Sequence, residues 1–230
     1  MRILCHIFCV LLVSSILYSN DLAIDNFVVP QKTWKDVYST NLEIKTKIHR
    51  LFQSKKYKDC IELIRFYLDD RDGQASHRDL FYKRAYSYFQ LKKYDKSLFY
   101  FDELLKSYPD FRDGWYNRGS LLEAMSRANE ALSSYDKAIE INSGTWWIHY
   151  DRAVLLIKMK KDLMAMIALK KVLALRENNA WAHFELGNIT YRQKKYVNAL
   201  KYYLKAKSIN SKIAGLNTRI NYCKKRIIQD

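Results

Sequence analysis

Histidine is the side chain that titrates closest to neutral pH and is a common metal ligand, so its positions give the first indication of chemistry. Four histidines follow the first nineteen residues: His49, His77, His149 and His183. No glycine-rich phosphate loop, nucleophile turn or Cys-x-x-Cys pair accompanies them. We therefore predict that His149 and His183 are structural histidines, in the core or half-buried, and that the protein is not an enzyme and uses no metal or other cofactor.

The cysteines do not supply a disulfide framework or a zinc site. Cys5 and Cys9 lie inside the N-terminal apolar segment, which leaves Cys60 and Cys223 for the rest of the chain. Both kinds of site need more than two cysteines. Because both residues fall on apolar helical faces, we expect buried thiols that pack as small hydrophobic side chains.

Residues 1–19 are typical of a secretory signal. Arg2 precedes an uncharged apolar run that ends in small residues, and cleavage after Ser15 or Ser19 fits the pattern. An uncleaved anchor is the alternative, because the apolar run nearly reaches the length of a spanning helix. We predict an exported protein, periplasmic or associated with the cell envelope, in which residues 20–40 form a tether.

A repeat of 34 residues organises the remaining chain. Shifting the sequence against itself by that interval aligns four units: 78–111, 112–145, 146–179 and 180–213. Counted from the start of each unit, position 8 is always small: Ala85, Gly119, Ala153 and Gly187. Position 20 is also small, and position 24 is bulky: Ser97, Ala131, Ala165 and Ala199, then Phe101, Tyr135, Leu169 and Tyr203.

This pattern predicts two amphipathic helices per unit, joined by a short turn. Helices that pack at the closest spacing need small side chains where their backbones cross and large ones beside the crossing. Positions 8 and 20 would form this crossing. Ordering one unit costs on the order of 50 kcal/mol, which a lone hairpin cannot offset by burial, so the units must stack. We predict an all-α solenoid of stacked antiparallel helix hairpins.

The sequence resembles the tetratricopeptide repeat family, whose pattern has a large residue at position 4, Gly or Ala at 8, an aromatic at 11, Ala at 20 and 27, an aromatic at 24 and Pro at 32. The residues that carry the resemblance are Phe81, Ala85, Tyr88, Phe101 and Pro109; Trp115, Gly119, Ala131, Tyr135 and Ala138; and Leu186, Gly187, Ala199, Tyr203 and Ala206. Position 4 departs from the pattern at His149 and His183. The resemblance implies a right-handed superhelix that acts as an interaction module.

Further helices are expected at both ends of the repeats. Residues 41–77 form a divergent first unit with Cys60 at position 20, and residues 214–230 form a capping helix with one apolar and one polar face. The acidic loop near residue 70 partly matches a calcium loop, but Leu68 occupies the first ligand position, so we predict an ordinary inter-repeat loop.

Aromatic residues dominate the positions that the resemblance places on the concave face of the first helices, where this family binds peptide segments. They are Tyr82, Tyr86, Phe89, Tyr116, Trp147, Tyr150, Trp181, Phe184 and Tyr191. Large aromatic side chains beyond those needed for the core are typical of a partner-binding surface. The alternative is that some of them pack against the next repeat or under the tether. The family's carboxylate clamp is not implied, because Tyr82 and Tyr86 occupy its Lys and Asn positions.

Lysine pairs occupy positions 15 and 16 in four of the five units: Lys55 and Lys56, Lys92 and Lys93, Lys160 and Lys161, and Lys194 and Lys195. Together with the formal net charge of +16, they could form a basic ridge that meets an anionic membrane, a wall polymer or nucleic acid. Export would argue against nucleic acid. The simpler explanation is that these lysines solvate an exposed turn and favour the negative end of the first helix.

The sequence therefore predicts an exported, non-enzymatic scaffold that binds a polypeptide segment in a concave aromatic groove, in envelope assembly or maintenance. The alternative function is a basic surface binder that docks on an anionic membrane or polymer. Substituting the groove aromatics should abolish partner binding under the first hypothesis, whereas charge reversal of the lysines should matter more under the second.

Overall fold

The computed structural model describes residues 41–69 and 77–229. The predicted signal and tether, residues 1–40, lie outside the described residues, as do residues 70–76 of the acidic loop and residue 230. From Ile44 onward the chain forms one unit.

The described ranges contain eleven helices and no strand. Their bounds are α1 Asn41–Gln53, α2 Tyr57–Asp69, α3 Arg78–Gln90, α4 Tyr94–Ser107, α5 Arg112–Ala124, α6 Ala128–Ile141, α7 Trp146–Lys158, α8 Asp162–Leu175, α9 Ala180–Arg192, α10 Tyr196–Ile209 and α11 Leu216–Gln229. From α2 onward, successive helices pack on one another along the chain. The predicted all-α solenoid of stacked hairpins is confirmed.

The crossing of the two helices in each hairpin lies at the small residues. Ser97 Oγ at position 20 donates a hydrogen bond of 2.8 Å to the Ala85 carbonyl at position 8. In the hairpin α5–α6, a Cβ added to Gly119 would lie 2.7 Å from the Tyr135 ring. In the hairpin α9–α10, a Cβ added to Gly187 would lie 2.5 Å from the Tyr203 ring. Positions 8 and 20 are therefore small because the helix backbones approach each other there.

The turns inside the hairpins share one geometry. In the turn after α7, the Lys160 amide donates to the Ile157 carbonyl and the Lys161 amide to the Leu156 carbonyl, both at 2.9 Å. This paired pattern is the Schellman motif, which ends a helix and reverses the chain in a few residues. Equivalent bonds close the turns after α1, α3, α5 and α9.

Position 4 connects successive repeats. Trp115 Nε1 donates a hydrogen bond of 2.8 Å to the Pro109 carbonyl, and His149 Nε2 lies 2.9 Å from the Ser143 carbonyl. His149 thus occupies the position of Trp115 one repeat later, and its ring nitrogen contacts the carbonyl of the residue six positions earlier, as the Trp115 ring does. It is buried, in agreement with the prediction of a structural histidine.

His183 occupies the same position one repeat later. Burial lowers its pKa, and the Glu177 carbonyl beside it opposes part of that shift. Neither ring nitrogen makes a well-aligned hydrogen bond within the described part of the chain. His183 is therefore a neutral, packed side chain at neutral pH.

The last helix, α11, covers the open end of the stack. Leu216, Ile220 and Cys223 are buried against residues of α9 and α10, including Ala199 and Tyr203. Ile227 continues the same face by helical spacing, but it is 36% exposed because it lies near the end of the helix, beyond the buried cluster.

Both cysteines outside the N-terminal segment are free, buried thiols. Burial raises the pKa of Cys60 to about 11, and it raises the pKa of Cys223 as well. Both side chains therefore stay protonated at neutral pH, which makes them poor nucleophiles.

Candidate functional site

A concave depression of about 440 Å³ lies against the first helices of the hairpins and is lined from α1, α2, α3, α5 and α7. We call it the aromatic groove after its rings: Phe52, Tyr57, Tyr82, Tyr86, Tyr116 and Trp147. The hairpin register explains the convergence, because equivalent positions of successive first helices face the same side of the stack. Four of the nine aromatics predicted from the sequence meet here.

The other five predicted aromatics do not line the aromatic groove. Phe89 packs edge-on against Tyr86, with ring centroids 6.4 Å apart. Tyr150, Trp181, Phe184 and Tyr191 lie on α7 and α9, toward the C-terminal end of the stack. The predicted set is thus divided between the groove and the surface that continues beyond it along the first helices.

Exposure distinguishes two residues among the nine. Trp147 is 41% exposed and Trp181 is 47% exposed, whereas the other seven are half-buried. Tyr82 illustrates the difference, since its ring contacts those of Tyr86 and Phe111 at centroid distances of 5.8 and 5.5 Å. The tyrosines and phenylalanines therefore also hold neighbouring helices together, as the alternative expectation stated. Of the nine, the two tryptophans present the most exposed rings, and each also contacts one neighbouring ring: Trp147 meets Trp146 at a centroid distance of 5.9 Å, and Trp181 meets Phe184 at 6.1 Å.

Hydrogen bonds between repeats fix the floor of the aromatic groove. Asn117 Nδ2 donates to the Tyr82 hydroxyl at 3.2 Å, and also to the Asp113 carbonyl at 2.7 Å. Beside them, Arg112 forms an ion pair of 2.6 Å with Asp113. Its guanidinium lies 5.9 Å from the centre of the Trp147 ring. Side chains held by such contacts are preorganised, which lowers the entropic cost of binding.

Carboxylates lie at the edge of the aromatic groove. The Tyr116 hydroxyl donates a hydrogen bond of 2.7 Å to Asp151 Oδ2. Burial raises the pKa of Asp151; the Tyr116 hydrogen bond opposes this, while the charge of Glu123 adds to it. The chain has thus placed a partly desolvated anion beside an aromatic surface.

Sequence reasoning missed Phe52, Tyr57, Arg112, Asp113 and Asn117 as groove residues. Extending the 34-residue register back to residue 41 would have found Phe52, which occupies position 12 of the divergent unit. Asp113 occupies position 2, one of the concave positions, but the search selected aromatic residues alone. The repeat register therefore contained enough information to identify both residues from the sequence.

All eight lysines of the predicted basic ridge are exposed, and none forms an ion pair with another residue of the described ranges. The first residue of each pair has a left-handed backbone, as does the serine of the remaining unit: Lys55, Lys92, Ser126, Lys160 and Lys194, with φ between 57° and 61°. For residues other than Gly and Asn, the left-handed backbone conformation costs roughly 1–2 kcal/mol.

The helix dipole accounts for only half of each pair. The first lysine follows the C-terminus of one helix, where a cation is favourable, but the second is the N-cap of the next helix. A cation at a helix N-terminus is unfavourable. The dipole explanation of the pairs is therefore incomplete.

Within residues 41–69 and 77–229, no group of three or more His, Cys, Asp and Glu side chains is arranged to hold a metal ion. None of the helices in these ranges combines the length and the apolar character needed to cross a membrane.

The family model for the tetratricopeptide repeat matches residues 82–144. The hairpins, the small-residue crossings and the 34-residue register extend the same architecture on both sides of that match. Residues 82–144 thus match the tetratricopeptide repeat that the sequence resembles.

A curated relative is similar to part of these repeats. The DnaJ protein P58IPK homolog A of Oryza sativa subsp. japonica is 30% identical over 80 residues, which cover 35% of this chain and 17% of the relative. The match thus spans about a sixth of that protein, whose other properties do not transfer to this chain.

Solved tetratricopeptide repeat structures share the fold at low sequence identity. MamA 41-end from Desulfovibrio magneticus RS-1 has a TM-score of 0.66 at 14% identity, covering 75% of this chain and 96% of that one. YrrB, described as a TPR protein with an unusual peptide-binding site, has a TM-score of 0.65 at 16% identity, covering 81% and 92% respectively. At these identities the likeness shows a shared fold.

Proposed function

We propose that the chain is a non-enzymatic scaffold that binds a polypeptide segment along its aromatic groove and over Trp181. The observation that carries the proposal is the convergence of Tyr82, Tyr86, Tyr116 and Trp147 in one concave depression. Aromatic side chains that are rigid and partly exposed in a concavity are the usual anchors of protein interfaces. The description of YrrB as a peptide-binding TPR protein supports the same use of this fold.

The length of the surface suits an extended or helical segment better than a small molecule. The groove draws residues from four successive hairpins, α1–α2 to α7–α8, and the first helices continue to Trp181 on α9. A peptide can contact several hairpins at once, and its main chain can meet polar groups such as Asn117. Each anchor then adds to the affinity without new folding cost, because the repeats are already stacked.

Selection from a displayed library of random peptides tests the proposal. Peptides that bind the chain should lose at least about tenfold in affinity to a Tyr116→Ala/Trp147→Ala variant, since each buried aromatic anchor contributes about 1–2 kcal/mol or more. The matched control is Phe99→Ala, because Phe99 is 58% exposed on α4, the second helix of its hairpin. Peptides that bind all three proteins equally would exclude the groove as the site.

The lysines at positions 15 support a second candidate function, a basic surface that docks on anionic lipid or polymer. These positions hold a lysine although Gly would adopt the left-handed backbone without a cost in stability. The positive charge is a property of lysine that could offset this cost. Sedimentation with vesicles of anionic lipid, compared with neutral vesicles, should show binding that falls as salt rises. A variant with Lys92, Lys93, Lys160 and Lys161 changed to Gln should bind less; unchanged sedimentation would refute this function.

We also propose that the protein is exported and acts in envelope assembly or maintenance, on the pattern of residues 1–19 alone. Fractionation of cells that make a C-terminally tagged chain, with N-terminal sequencing of the product, tests this. A product that starts after residue 15 or 19 in the exported fraction is expected. An intact chain in the cytosol would contradict it.

A further inference from the structure

Positive charge is concentrated in the last third of the chain. Residues 160–229 contain sixteen Lys and Arg but three Asp and Glu, so they carry +13 of the formal net charge of +16. They form the turn before α8, the helices α8 to α11 and the connections between these helices. The C-terminal end of the stack is therefore strongly basic, and the other residues carry the remaining +3.

Within this basic end, the second helices α8 and α10 expose apolar side chains among their lysines. Positions 18, 22, 25 and 26 of a repeat lie on one face of its second helix, because they follow the helical spacing. All eight residues at these positions are exposed. We call them the outer face: Leu163, Ile167, Lys170 and Lys171 on α8, and Val197, Lys201, Leu204 and Lys205 on α10. Leu163 is 74% exposed and Ile167 is 71% exposed, so these side chains take little part in the core.

The earlier hairpins carry a different surface at the same positions. On α4 and α6 these positions hold Asp95, Phe99, Asp102 and Glu103, then Asn129, Ser133, Asp136 and Lys137. Asp102 and Asp136 pair with arginines of the next repeat. The same fold thus accepts polar and acidic residues here. Packing therefore does not require the apolar and basic side chains of α8 and α10, whereas a function of this surface would account for them.

The helices α8 and α10 present the outer face together, because equivalent positions of successive repeats face the same side of the stack. Tyr202 of α10 packs against the core cluster that contains Ala165 and Leu169 of α8. Gln193, in the turn before α10, also contacts α8, with its Nε2 atom 3.7 Å from Met166 Sδ. Within the described ranges, none of the four lysines of the outer face forms an ion pair. The surface therefore combines unpaired positive charge with exposed apolar side chains.

We propose that the outer face binds the surface of an anionic lipid bilayer, with Leu163 and Ile167 inserted between the headgroups. The inference rests on the second candidate function, the basic surface, and adds to it lipid as the ligand and the side chains that enter the lipid. At such an interface the apolar side chains leave water for the boundary of the acyl chains, while each lysine extends its ammonium group to the lipid phosphates. The contact is superficial and needs no helix that crosses the membrane.

Charge and hydrophobicity together select this occupant. A second copy of the chain would bring two strongly positive surfaces together, and like charges repel. Nucleic acid would neutralise the lysines, but its interfaces with proteins are polar, so Leu163 and Ile167 would gain little apolar contact. An anionic bilayer offers a favourable environment to both kinds of side chain.

Flotation of the full chain with lipid vesicles tests the proposal. The vesicles contain phosphatidylcholine alone, or phosphatidylcholine and phosphatidylserine in equal parts. We expect binding to the anionic vesicles that falls as salt rises. A Leu163→Gln/Ile167→Gln variant should bind these vesicles at least about tenfold more weakly, because burial of two aliphatic side chains contributes at least that much to affinity. The variant keeps the net charge, and its thermal unfolding checks that it is folded.

The matched control is Phe99→Gln. Phe99 occupies position 22 of its repeat, as Ile167 does, and it is 58% exposed, but it lies on the acidic face of α4. Its substitution should leave vesicle binding unchanged. Residues 1–19 are present in all three proteins, so any lipid binding that they cause does not distinguish the variants. Retention on immobilised heparin, a polyanion without acyl chains, should be equal for the native chain and the Leu163→Gln/Ile167→Gln variant.

Four results would overturn the proposal. They are no binding of the native chain to anionic vesicles, equal vesicle binding by the Leu163→Gln/Ile167→Gln variant, an equal loss in Phe99→Gln, or a native dimer in analytical ultracentrifugation that the Leu163→Gln/Ile167→Gln variant abolishes. The last result would identify a second copy as the occupant.

The failure of the insertion can be distinguished from the failure of the second candidate function. If the variant with Lys92, Lys93, Lys160 and Lys161 changed to Gln binds anionic vesicles less, but the Leu163→Gln/Ile167→Gln variant does not, the basic surface stands and only the insertion is wrong. If the native chain does not bind anionic vesicles, docking on lipid is refuted in both forms.

Discussion

At the scale of single residues, the glycine at position 8 is matched to the tyrosine at position 24. Gly119 faces Tyr135 and Gly187 faces Tyr203, in each case too closely for a Cβ to fit. Where position 8 is Ala, position 24 is a residue other than Tyr: Ala85 with Phe101, and Ala153 with Leu169. The chain thus contains two alternative ways to fill the same crossing.

Gly187→Ala should destabilise the protein by about 1–3 kcal/mol through overpacking, less the helix propensity that Ala gains over Gly, about 0.5–1 kcal/mol. Adding Tyr203→Leu reproduces the Ala153–Leu169 pair, so the double variant should be less destabilised than the sum of the single variants, by about 1 kcal/mol. Chemical denaturation of the four proteins measures this coupling. Strict additivity would show that the ring does not restrict position 8.

Left-handed lysines allow a second test at this scale. Lys160→Gly should stabilise the chain by about 1 kcal/mol, because Gly adopts this backbone without strain. Lys161→Gly is the control, since Lys161 has a φ of −91° and gains nothing from Gly. Thermal unfolding compares the two variants. A loss of stability in Lys160→Gly would show that the lysine side chain makes a stabilising contribution of its own.

At the scale of helices, each element depends on its neighbours in the chain. Arg118 and Arg152, at position 7, pair with Asp102 and Asp136, at position 25 of the preceding repeat, at 2.7 and 2.6 Å. Contacts of this kind join adjacent hairpins only. Stability in such a stack is the sum of local terms, so damage at one end should stay near that end.

Ile220→Asn should release α11 from the stack, because Ile220 is 4% exposed and packs on the last hairpin. Hydrogen exchange should show lost protection in α10 and α11, with α3 to α6 unaffected. Ile228→Asn is the control on the same helix, since Ile228 is 85% exposed. Uniform loss of protection along the chain would indicate one cooperative unit in place of a linear stack.

At the scale of the whole molecule, charge is unevenly distributed. The formal net charge is +16, and the eight ridge lysines are exposed and form no ion pair within the described ranges. Asp151, in contrast, is half-buried and accepts a hydrogen bond from Tyr116. Like charges repel and destabilise the folded chain, and salt screens this repulsion.

The melting temperature should therefore rise by roughly 2–4 °C between low and physiological salt, which corresponds to about 1 kcal/mol for a protein of this size. Differential scanning calorimetry measures the shift. The variant with Lys92, Lys93, Lys160 and Lys161 changed to Gln should show a smaller salt dependence. A melting temperature that falls with salt would mean that attractive pairs outweigh the repulsion.

The register of small and large residues was enough to predict the helices, the hairpins and their stacking. This prediction succeeded because closely packed helices leave no room for a large side chain where they cross. Ala131 and Gly187 lie at such crossings and must therefore be small. The buried cysteines and the structural role of His149 followed from the same register.

Which residues line the site could be determined only from the tertiary structure. Sequence spacing placed Tyr116 and Trp147 on one face, but it did not show the contribution of Asn117, or of Tyr57 from a second helix. It also did not show which aromatics pack between helices and which are exposed. Side-chain burial and the pairing of charges depend on distances between hairpins, which a one-dimensional pattern does not contain. Asp151 looks like any other acid in the sequence, and only the fold places its carboxylate 2.7 Å from the Tyr116 hydroxyl of the preceding repeat.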